Sequence, residues 1–253
     1  MTVRTPSSRI RRVLAPLVLC AGLVAGLGAC AADPDPDEGT NGVGMLPAPE
    51  IEREARAAAD TAKSVRLAGT LVSKGGTFTL NMRLKQDGAS GSVTTKNSTF
   101  ELLRVGDALY LKADAGFWAH DGKGGEPTER DAEAADKLGG MYVKVPRDDP
   151  SYKQLRGFTD MGSLLDGLIG LHGEKVKGGR AQIGGVRAVE VKGGADGGGG
   201  VLDVALQGSP YPLRFARGGG GGMVTLSEWD KEFPLSEPSK EETVDYGKQL
   251  PRT

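Results

Sequence analysis

Few side chains in this 253-residue sequence are of types that make or break bonds. There are two cysteines, Cys20 and Cys30, and two histidines, His120 and His172. A thiol beside an imidazole is one route to an activated nucleophile, and a His/Cys cluster is one route to a metal centre. Neither pattern is present, because the histidines stand far apart in polar, Gly-rich stretches and read as surface residues. "GASGS" at 88–92 lacks the Gly-x-Ser-x-Gly spacing and the strand-to-helix turn of a nucleophile elbow. The glycine runs at 193–200 and 218–222 lack the Lys-Ser/Thr ending of a phosphate loop and read as turns. "RDDP" at 147–150 reads as solvated turn acids, and Trp118 and Trp229 as core or edge residues. No constellation for catalysis, and no catalytic or metal-ligating residue, emerges from the sequence.

Cys30 is different because of what precedes it. Arg4, Arg9, Arg11 and Arg12 form a basic start with no acid before Asp33, followed by the apolar run 13–29. That run is 17 residues long, at the lower edge of what spans a bilayer. A charged start, an apolar middle and small residues at its end make the pattern of an export signal. Leu27-Gly28-Ala29-Cys30 looks like a bacterial lipobox. Such a motif implies that the Cys30 thiol is joined to a diacylglycerol and that cleavage makes Cys30 the first mature residue. Cys20 is then discarded, and no thiol remains for a disulfide, a metal or catalysis. Two acyl chains suffice for stable anchoring, at about 0.8 kcal/mol per buried methylene. The Arg11-Arg12 pair leaves the choice between general and twin-arginine export open.

Composition narrows the partners. The chain has 32 Lys+Arg against 33 Asp+Glu, and removing the four signal arginines leaves 28 against 33. A mildly acidic mature protein lacks the basic footprint that nucleic acid requires. Residues 1–29 read as a lipoprotein signal peptide and 30–49 as a disordered acidic, Pro- and Gly-rich tether. Residues 50–236 read as one folded domain, and 237–253 as a polar, loosely ordered tail.

The elements that must supply any function follow from periodicity. "PAPEIEREARAAADTAK" (47–63) has helix start and stop signals, with Ile51, Ala55, Ala58 and Ala62 on its inner stripe. "SVRLAGTLVS" and "GTFTLNMRLK" alternate, placing Val65, Leu67 and Leu71, then Phe78, Leu80, Met82 and Leu84, on one face. Strands are expected at 89–97, 98–105 and 107–113, the last contributing Leu109 and Leu111. A short helix at 126–138, a strand at 141–145 and an amphipathic helix at 159–171 follow, the helix carrying Leu164, Leu165 and Leu168 inward. Five more strands fill 174–229. The fold class is therefore α+β: a large curled antiparallel sheet of 10–11 strands with helices packed on its concave face.

"AKSVRLAGTLVSKGGTF", "VGDALYLKADAGFW", "GGMYVKVP" and "VTLSEWDK" resemble actinobacterial lipoproteins of the LppX/LprG class, whose fold is similar to that of LolA and LolB. The resemblance spans roughly residues 50–235, with the lipobox and tether. It implies a half-barrel with an apolar cavity for acylated lipids or glycolipids. It also implies a place on the outer face of the cytoplasmic membrane, no enzymatic activity, and no cofactor apart from the diacylglycerol on Cys30. The expected lipid-lining residues are the twelve apolar positions named above: Val65, Leu67, Leu71, Phe78, Leu80, Met82, Leu84, Leu109, Leu111, Leu164, Leu165 and Leu168. The expected partners are an acylated lipid, the membrane through the anchor, and an envelope transporter. An alternative reading is a ligand-free interaction lipoprotein, accessory to an envelope transporter or sensor.

Overall fold

Alternating apolar residues build a meander of antiparallel strands in a computed structural model that describes residues 37–73, 76–119, 129–245 and Gly247. The signal, Cys20, Cys30, residues 31–36 and His120 lie outside the described residues. Strands β1 (Ser64–Ser73), β2 (Gly76–Lys85), β3 (Gly88–Thr94), β4 (Thr99–Val105) and β5 (Ala108–Ala113) pair in sequence order. A second run, β7 (Lys175–Ile183), β8 (Val186–Gly193), β9 (Val201–Ala205), β10 (Pro212–Ala216) and β11 (Gly222–Ser227), does the same. The runs join where β11 pairs antiparallel with β1. Strand β6 (Tyr142–Lys144) extends the first run, and β12 (Thr243–Asp245) lies parallel to β6. The result is one mixed sheet of 12 strands whose edges, β12 and β7, are not joined.

The expected α+β sheet is thus found, with one strand more than expected. The extra strand is β12, in the segment read as a loose tail. On the way to it Tyr110 Oη donates to Glu237 Oε2 at 2.9 Å, so part of that segment is a strap fixed to the sheet. The segment read as tether is likewise ordered from Asp37. Asn41 Nδ2 donates to Ala205 O at 3.0 Å and Gly208 O at 2.9 Å, while Arg180 Nη2 binds Asp37 at 2.7 Å and Val43 is buried. Low hydropathy hid both segments, because polar contacts to the strands, helped by buried Val43, hold them without a periodic apolar stripe.

One sheet face is apolar and covered. Helix α1 (Ala48–Thr61) lies over β7–β10 with Ala48, Ile51, Ala55 and Ala59 buried. Ala59 takes the inner place expected of Ala58, which is half-buried. Helices α2 (Ala115–Ala119) and α3 (Glu129–Leu138) sit beyond the end of β5, where Gly140 N donates to Ala113 O at 3.0 Å. Helices α4 (Pro150–Gly157) and α5 (Met161–Leu168) cover the β2–β5 half. Helix α4 was not anticipated. Its start is the "RDDP" stretch: Asp149 caps it by accepting from Ser151 N at 2.8 Å, and Pro150 stands in the first turn, where a missing N–H costs nothing. The opposite face is wet, with Thr70, Thr79, Thr94 and Thr99 forming one cross-strand row.

Candidate functional site

The apolar face of the first run is built from cross-strand rows. Across one, Val65, Leu84, Ala89, Arg104 and Leu109 are opposite neighbours in turn. The next holds Leu67, Met82, Gly91, Leu102, Leu111 and Val143. The third holds Gly69, Leu80, Val93, Phe100 and Ala113. Beyond it, towards the β1–β2 tip, Leu71 faces Phe78.

Two glycines in these rows are structural. A Cβ at Gly69 would stand 2.2 Å from Met223 O, and one at Gly91 would stand 2.2 Å from Asn81 O. Both strands therefore approach their neighbours more closely than any side chain allows, a device that bends sheets. The Met82 sulfur lies 2.8 Å from the same Gly91 position, so a pliable side chain fills the space over β3.

Burial changes along the rows. Val65, Leu67, Leu80, Met82, Leu84, Leu109, Leu111, Leu165 and Leu168 are buried, while Leu71, Phe78 and Leu164 are half-buried. All twelve expected residues join one apolar cluster, and the three that keep solvent contact include the Leu71–Phe78 pair next to the β1–β2 tip.

That end is also aromatic. Phe78 meets Phe158 with ring centres 5.6 Å apart; Phe100 meets Phe117 at 5.6 Å, and Phe117 meets Trp118 edge-on at 5.0 Å. Four of the chain's six phenylalanines and one of its two tryptophans gather here. Phe100 was legible in the alternation of "STFELLRV", and Trp118, read as a core or edge residue, is buried. Phe117 and Phe158 were not legible, because one lies on a five-residue helix and the other just after α4, with no period to read. The chemistry available is contact with apolar matter: rings and aliphatic chains that keep water out.

One charge is built into the apolar face. Arg104 is 3 % exposed. Its Nη2 and Nε donate to Thr159 O at 2.8 and 3.2 Å, and Nη1 donates to Gly106 O at 2.8 Å. Burial pushes its pKa down, opposed by the nearby Asp160 carboxylate. Thr159 joins α4 to α5, so this guanidinium fastens the helical cover to the sheet. The α5 start is capped by Asp160, which accepts from Ser163 N at 3.0 Å, and that bond holds the carboxyl below its usual range. Within α5, a Cβ at Gly167 would meet nothing within 4 Å, and one at Gly162 only Asp160 at 3.9 Å. Packing does not explain these glycines, and each weakens the helix by about 1 kcal/mol relative to alanine.

Among the described residues no group of three or more His, Cys, Asp or Glu side chains is placed to hold a metal ion. His172 is exposed at a turn where its N–H donates to Gly199 O. No helix among the described residues is long and apolar enough to cross a membrane.

No family model matches the sequence, and no curated protein matches it. Solved structures do resemble it. The structure of LprF from Mycobacterium bovis is 18% identical and superposes with a TM-score of 0.52, covering 76% of this chain and 99% of that one. Lipoprotein LppX from Mycobacterium tuberculosis is 14% identical with a TM-score of 0.46, covering 74% and 99%. An uncharacterised conserved protein from Thermus thermophilus is 11% identical with a TM-score of 0.36, covering 78% and 98%. The chain therefore shares the LprF fold, as the sequence resemblance led us to expect.

Proposed function

We propose that this protein is an exported envelope lipoprotein, anchored through acylated Cys30, that takes the acyl chains of a lipid or glycolipid against the apolar face of its sheet. The observation that supports it best is the half-buried aromatic end formed around Leu71, Phe78, Phe117, Phe158 and Leu164. A core packed only for stability hides its large aromatics; here Phe78, Phe117 and Phe158 stay half-buried where they pack against the apolar cluster. Each methylene moved from water onto that surface contributes about 0.8 kcal/mol, so an acyl chain needs no charged recognition to bind. The cover is fastened through α4, by Arg104 at Thr159 O and by Tyr152 Oη donating to Asp107 O at 2.9 Å, and ends in a glycine-weakened helix. Binding proceeds as α5 yields, the chain slides over Phe78 and Phe158, and Met82 repacks above β3. No residue acts as acid, base or nucleophile, and the role is sequestration or carriage.

The test is mass spectrometry of an organic extract of the purified protein after expression with export and exposure to membranes. A stoichiometric acylated lipid beyond the Cys30 anchor is the expected result. Protein that yields no lipid other than its own anchor argues for the interaction-lipoprotein reading.

A further inference from the structure

Trp118 is 7 % exposed, and its indole Nε1 is buried without a hydrogen-bond partner among the described residues. The other tryptophan makes the contrast: Trp229 Nε1 donates to Pro212 O at 3.0 Å. A buried N–H left unpaired costs free energy, so such groups are rare and call for an explanation. Folding does not need this one, since phenylalanine supplies the same apolar contact without a stranded donor. An ordered water requires two to four polar partners, and Trp118 sits instead in the apolar cluster beside Phe117.

Resting on the lipid-binding reading, we infer that Trp118 is the polar contact of the site: its Nε1–H donates to an ester carbonyl of the bound lipid. The position suits that role. Helix α2 follows β5 directly, and Asp114 Oδ1 accepts from Phe117 N at 2.8 Å, fixing the helix start and the rings that follow. The aromatic chain Trp118, Phe117, Phe100 leads from the donor onto the sheet. Surroundings this apolar select a neutral acceptor, because a phosphate or carboxylate would lose its hydration for a single N–H. The ligand class that follows is an acyl ester: its chains cover the sheet face while its carbonyl oxygen meets Trp118.

The experiment uses the full chain with Cys30→Ser, which removes the anchor and leaves every described residue unchanged. Two probes are compared, dioleoylglycerol and its di-ether analogue, which match in chains and differ in the ester carbonyls. The chain has two tryptophans, so its ¹H–¹⁵N spectrum has two indole cross-peaks, assigned with Trp229→Phe. The ester is expected to shift the Trp118 peak downfield and leave the Trp229 peak in place, while the ether leaves both. Ester binding should be roughly tenfold tighter than ether binding, the usual net effect of one hydrogen bond, and Trp118→Phe should abolish that preference. If ester and ether bind equally and the Trp118 peak stays put, this inference falls and the lipid-binding reading stands. If neither probe binds the Cys30→Ser chain, both fall together.

Discussion

Arg104 shows how one residue can couple the sheet to its cover. It takes the place in the β4 alternation that a leucine would fill, and it gives its donors to the carbonyl between α4 and α5. Arg104→Ala strands the carbonyl of Thr159, a residue with no solvent exposure, at a cost of about 2–3 kcal/mol by chemical denaturation. Hydrogen exchange should show the loss concentrated in α4 and α5, whereas an effect spread evenly over the sheet would deny the clamp. Gly91→Ala acts through backbone collision and should destabilise by about 2–3 kcal/mol with no gain in ligand exchange. The sequence disclosed the alternation of "FELLRV" but not the meaning of its arginine. A charged residue at an inward position is intelligible only once the carbonyl it serves is known.

At the scale of elements, α5 is the weak member. Gly167→Ala adds a methyl into open space, so it should stabilise the fold by up to about 1 kcal/mol and slow exchange of bound lipid. Faster exchange in a more stable protein would remove α5 from the gating account. Asp160→Ala removes the cap and should cost about 1 kcal/mol. The Asp160 pKa is depressed in the folded state, so its contribution is present above the ordinary aspartate pKa and is lost as pH falls through the lower folded value. Loosening of α5 in acid, before the sheet melts, should be visible by exchange. Longer elements were legible: the expected ranges overlap all ten strands of five or more residues, with period-two alternation spelled out for β1 and β2, and the apolar spacing of 161–168 located α5. The short helices α2 and α4 were not, since five or eight residues carry too little periodicity to separate from a loop.

On the scale of the whole molecule, the strap after β11 runs from the sheet's middle to its β12 edge beside β6. Burial pushes the Tyr110 phenol up to about 12, helped by its hydrogen bond to Glu237. A raised folded pKa means that this contribution is complete below the ordinary tyrosine value near 10 and disappears as pH climbs from there towards 12. Proteolysis within residues 237–245 should therefore rise over that interval, and Tyr110→Phe should give the same sensitivity at neutral pH. Cleavage that is indifferent to both would leave β12 alone holding the strap.

The ordered stretch that begins at Asp37 has a mechanical consequence. With that stretch fixed to β7, β8 and β9, only residues 31–36 separate Cys30 from the folded body. At full stretch those links measure about 25 Å, less than the roughly 33 Å length of a ten-residue strand such as β1. An acylated Cys30 would then act as a short mooring. The protein would patrol a thin layer above one leaflet, meeting lipids by diffusion in two dimensions at high local concentration. Handing cargo across a wider gap would require a second carrier to come to it.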